Sequence, residues 1–172
     1  MAMNKVWVVM IVLLCLLILP VSAAVCQKAQ DFVPLLINLS GWEGSEPETV
    51  EFTMQDMKGI VVSRDYEKGD QSLTAGIMVG QQTTGIWNPA YQEGFKMEAG
   101  KNLMEVKKQG GYLIMHTYNG DDREGMFVVL LQEVSPDGSS GALFVFSYEG
   151  MNDSEGQKLA GKFDWGAMKS KL

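Results

Sequence analysis

The sequence predicts an α+β fold. Its expected form is a single antiparallel β-sheet of about six strands, with C-terminal and short mid-chain helices packed on it, behind an N-terminal signal helix. Three observations carry this expectation. Strand-like runs at 111–118, 126–134 and 142–148 follow one another across turn signals. Apolar residues recur at helical spacing after Asn152. The first 24 residues have the order of an export leader.

The three runs are rich in Val, Ile, Phe and Tyr, which fit a pleated surface. Asn119-Gly120-Asp121-Asp122 and Ser135-Pro136-Asp137-Gly138 separate them, and Asn-Gly can supply positive φ at no steric cost. Side chains alternate across a strand, so Phe144, Phe146 and Tyr148 share one face and Leu143 and Val145 the other. Residues 126–131 are apolar on both faces, which predicts a central strand covered on both sides. The cover follows in the chain. Asn152 opens a helix carrying Leu159, Ala160 and Phe163, and Asp164 caps a second one before Trp165.

Residues 1–24 read as a signal peptide. Lys5 precedes an apolar run from Val6 to Leu19, then Pro20 and the small residues Ser22-Ala23-Ala24. The alternative is an uncleaved anchor that tethers the chain to a membrane through residues 1–26. Cys26 stands where the acylated cysteine of a lipoprotein would stand, although Val25 departs from the small residue a lipobox requires. Residues 25–40 form an N-terminal segment in which 32–37 pack as a short helix or lie on the core. Residues 41–172 form one domain.

Within that domain, 50–54 alternates as an early strand and 60–79 reads as a hairpin turning at Lys68-Gly69-Asp70. Residues 80–87 are the least regular stretch and read as a mobile loop. Asn88-Pro89 suits the start of a short helix with Tyr91 and Phe95 on one face. A strand at 102–108 then turns through Gly110-Gly111 into the central runs.

Composition narrows the function classes. Net charge is −7, every Asp and Glu lies beyond residue 26, and no basic stripe is present. That excludes nucleic acid as an expected partner, because its binding depends on neutralising phosphates. A single cysteine outside the leader cannot form an internal disulfide. His116 is the only histidine and shares a strand face with Tyr112, Ile114 and Tyr118. No Gly-x-Ser-x-Gly accompanies it, and zinc sites need several His or Cys ligands. Asp121-Asp122-Arg123-Glu124 lacks the alternation of a calcium loop and reads as a solvated hairpin tip. The scattered methionines sit at core-like positions, where Met fills gaps, rather than in a Cu(I) site. No catalytic residue, metal ligand or cofactor site is expected.

The order of Gly41-Trp42, Pro47, the segment 62–70, Tyr112, the strand from Gly125 to Leu131 and the ending Phe163-Asp164-Trp165 resembles a known type. It is similar to uncharacterised exported or lipoprotein domains of Gram-negative bacteria with a PsbP-like α/β/α arrangement. The resemblance implies a cell-envelope location and a binding or accessory role. The expected function is therefore a non-enzymatic periplasmic domain that binds a protein or small ligand through the sheet face or the 80–100 segment. Trp42, Trp87, Tyr91 and His116 are its candidate contact residues, and Cys26 its candidate lipidation site. A membrane-tethered structural envelope protein and a hydrolase using acidic residues are the alternatives.

Overall fold

A computed structural model describes residues 28–54, 57–88, 90–135 and 140–172, the side chains of Met54, Met57 and Lys58 excepted. The leader, Cys26, Pro89 and the Pro136-Asp137-Gly138 turn lie outside the described residues.

Nine strands form one antiparallel sheet: β1 (Glu43–Gly44), β2 (Glu48–Met54), β3 (Met57–Lys68), β4 (Gln71–Gly80), β5 (Lys96–Ala99), β6 (Asn102–Gln109), β7 (Tyr112–Asn119), β8 (Glu124–Gln132) and β9 (Ala142–Glu149). Their order is β1-β3-β4-β9-β8-β7-β6-β5, and β2 shares the outer edge of β3 with β1. The hairpin β3–β4 and the meander β5–β9 are thus joined side by side, with Ala75 opposite Phe146. The sheet has nine strands rather than about six because its edges are built from short pieces. β1 is two residues long, and β5 is Lys96-Met97-Glu98-Ala99, four exposed residues, too few for their alternation to stand out.

One face of the sheet is covered by α1 (Asp153–Ala160), α2 (Trp165–Lys169) and two 3₁₀ turns at Ala29–Asp31 and Val33–Leu35. Phe32, Leu36, Tyr66, Phe144, Phe146, Phe163 and Met168 are buried between these layers. Of the two expectations for residues 32–37 the second holds: they lie on the core through Phe32 and Leu36, in a 3₁₀ turn rather than an α-helix, and Arg64 ties them down by donating from Nη1 to the Leu36 carbonyl at 2.9 Å. Both helices start where the side chains can cap them. The Asn152 side chain accepts from the Glu155 N–H at 3.0 Å, and Asp164 accepts from the Ala167 N–H at 2.8 Å.

The opposite face carries a smaller core of Trp87, Val106, Met115, Val128 and Leu143. β8 is therefore covered on both sides, with Phe127, Val129 and Leu131 toward the helices and Val128 toward Trp87. The segment that supplies Trp87 differs from its sequence reading. Residues 81–85 form a 3₁₀ turn pinned by Gln82, which donates to the carbonyls of Ile60 and Val79, and by buried Thr83, which donates to the Gly80 carbonyl. No helix follows at 88–95. The Asn88 side chain accepts from the Ala90 N–H at 2.9 Å, making a local turn that competes with a helix start, and Gly94 at φ 90° ends any continuation. In the β7–β8 hairpin the left-handed residue is Arg123 (φ 57°) and not Gly120. Gly120 is instead held against Lys101, whose Cβ would lie 2.8 Å from any Cβ added there.

Candidate functional site

The helix-free face is divided in two. At one end Trp87, Ile86 and Tyr91 close over the apolar residues of β6 to β9. At the other end no element among the described residues crosses the sheet, and a cleft of about 350 Å³ remains. Strand register builds its floor. Asp65, Thr74, Ser147, Met126, Thr117 and Met104 are successive cross-strand partners from β3 to β6. They fall on one face because each strand alternates, which puts Ser147 with buried Leu143 and Met126 with buried Val128. Thr74, Thr117 and Ser147 are half-buried, and Thr74 donates its hydroxyl to Asp65 Oδ1 at 2.6 Å.

The next row toward the strand ends is more polar. Glu67 pairs with Ser72, Ser72 with Glu149, Glu124 with Asn119, and Asn119 with Asn102. Glu124 Oε1 accepts from Asn119 Nδ2 at 3.3 Å. The lining of the cleft thus offers hydroxyls, carboxamides and two carboxylates, with no Lys, Arg or His among the residues that form it. A second, wider hollow of about 720 Å³ lies at the opposite end, where Lys108, Leu113, Leu130, Lys169 and Leu172 mix charge and apolar surface.

His116 occupies the helix-covered face and is fully buried. Its ring stacks on Phe127 with centroids 4.2 Å apart and planes within 6°. Nδ1 lies 3.3 Å from Glu105 Oε1. Nε2 lies 2.8 Å from Asp153 Oδ1, close enough for an ion pair but without the angle of a hydrogen bond. The Lys107 ammonium hydrogen-bonds Glu105 at 2.6 Å and is the main reason that carboxyl is held below its ordinary range, with His116 adding to the effect. Tyr148 donates its hydroxyl to Asp153 Oδ1 at 3.1 Å, and burial, reinforced by the Asp153 charge, raises its phenol above the ordinary value. Tyr148 therefore fastens the first turn of α1 to the sheet through Asp153, with His116 Nε2 beside the same carboxylate. Among the described residues, no group of three or more His, Cys, Asp or Glu is arranged to hold a metal ion.

Of the four contact candidates, Trp87 and Tyr91 come together, and Trp42 and His116 lie apart from them. Trp42 is half-buried and packs against the helix-side core, under the ammonium of Lys68 at 5.7 Å from the ring centre. Trp87 is buried in the smaller core and meets half-buried Tyr91 edge-on at 6.4 Å. His116 lies beneath α1. Sequence reasoning missed the cleft residues. The available signal was Thr or Ser on one face of three otherwise apolar strands, at 72 and 74, 117 and 147, but only the registers align them.

Among the described residues, no helix is long and apolar enough to cross a membrane. No family model, curated protein or solved structure matches this chain.

Proposed function

We propose that this protein is an exported, non-enzymatic accessory domain that binds a small ligand in the open cleft of its sheet. The observation that carries the reading is the cleft itself. Half-buried Thr74, Thr117 and Ser147 present their side chains from three different strands into one hollow of about 350 Å³, within the range of small-molecule sites. Strands of a continuous sheet hold such groups more rigidly than loops do. Export rests on Lys5, the apolar run Val6–Leu19, and Pro20 followed by Ser22-Ala23-Ala24.

A thermal-shift screen of small metabolites tests the reading, run on the wild type and on Thr117→Arg, which fills the cleft. A ligand that binds only the native state at a hundred times its Kd adds about 2.7 kcal/mol of stability. That gain is expected in the wild type and absent in Thr117→Arg. A screen with no stabilising compound, or one whose hits stabilise both proteins equally, removes the cleft as a binding site.

A further inference from the structure

We infer that the cleft is selective for a cationic ligand, a small aliphatic amine or guanidinium compound whose charge sits between Glu124 and Glu149. This rests on the reading of the cleft as a binding site and adds its chemical class. β8 and β9 pair as far as Gly125 and Tyr148. One step further the same register sets Glu124 opposite Glu149, and both positions belong to the cleft face. Like charges directly opposite each other in a sheet repel. Neither carboxylate forms an ion pair with a Lys, Arg or His among the described residues. Two cations flank this end from outside the lining: Lys101 is bound to Asp121 at 2.8 Å, and Arg123 precedes Glu124 in the hairpin without being among the residues that line the cleft. Glu67 and Asp65 extend the negative field along β3, on the same face.

The uncharged part of the lining has matching polarity. Ser72, Thr74, Thr117 and Ser147 carry hydroxyl oxygens that accept from N–H donors, and an ammonium or guanidinium group offers donors only. A charge-assisted bond to a carboxylate is shorter and stronger than a neutral one. An anionic ligand would meet two carboxylates and no compensating cation in the lining. The carboxylates and hydroxyls thus select for charge, and the volume limits the size.

The experiment is a ¹⁵N NMR titration of the protein, expressed from Met1 and used as recovered, with 1,4-diaminobutane, maltose and succinate as probes at low salt. The backbone amides of Thr74, Thr117, Met126 and Ser147 report the cleft. The expected result is that the diamine shifts these amides, and that Glu124→Gln with Glu149→Gln weakens it about tenfold. Both positions are exposed and their charges repel, so the double variant should melt no lower than the wild type. Diamine binding that is unchanged in the double variant, or shifts confined to other amides, overturns the assignment. Maltose or succinate shifting the cleft amides while the diamine does not would overturn the cationic class and leave the binding reading in place. No response to any of the three probes removes the assignment to cations, and the metabolite screen on Thr117→Arg then decides the binding reading separately.

Discussion

Gly156 shows how one residue sets the spacing of a helix on a sheet. It lies in the middle of α1, where glycine costs about 1 kcal/mol relative to alanine. A Cβ added there would sit 2.4 Å from the ring of Tyr148, and one added at Gly125 would sit 2.3 Å from the Tyr148 hydroxyl. The tyrosine ring thus occupies the space that both glycines vacate, and this lets its hydroxyl reach Asp153. Helix propensity alone predicts that Gly156→Ala stabilises the protein. Packing predicts the opposite, a loss of about 1–3 kcal/mol from overpacking a buried ring. Urea unfolding separates the two by sign, and a stabilised variant would mean that α1 has room to move away from β9.

At the scale of elements, the 81–95 segment matters most for the site, because it decides how much of the helix-free face stays open. It is irregular, but it is not loosely attached. Trp87 is 3% exposed, and Gln82 and Thr83 satisfy carbonyls at the end of β4. Trp87→Ala is expected to cost about 3–5 kcal/mol, as for other large buried aromatics, and to open the apolar half of the face to a dye such as ANS. A cost below about 1 kcal/mol with no added dye binding would mean that Trp87 is a surface residue free to meet a partner. The same comparison explains the misread helix at 88–95. The aromatic spacing of Tyr91 and Phe95 is helical, yet the two rings meet at a tilt of 38°, 5.9 Å apart, across a turn that Gly94 terminates. Periodicity over so few residues cannot distinguish these arrangements.

At the scale of the whole molecule, stability should depend on pH at the alkaline end. Burial raises the phenols of Tyr66 and Tyr148 above the ordinary tyrosine value of about 10. Below pH 10 the folded and unfolded chains both keep these protons, and the stabilisation is fully present. Above it the unfolded chain releases protons that the folded chain retains, so stability falls as pH rises. Urea midpoints between pH 8 and 11 should fall more steeply for the wild type than for Tyr66→Phe with Tyr148→Phe; equal slopes would mean that both phenols ionise freely in the folded state. The central part of this molecule was legible beforehand. The three runs at 111–148, the two-sided cover of β8 and the capped C-terminal helices follow from alternation and from Asn152 and Asp164, all of which act within a few positions of the chain. The short edge strands, the joining of β4 to β9 across more than sixty residues of intervening chain, and the cleft were not legible. Local rules place a side chain on a face, and no more than that. Whether Thr74 meets Ser147, whether Glu149 faces Glu124, and whether His116 lies open or beneath α1 depend on registers between strands far apart in sequence, and those are set by the packing of the whole core.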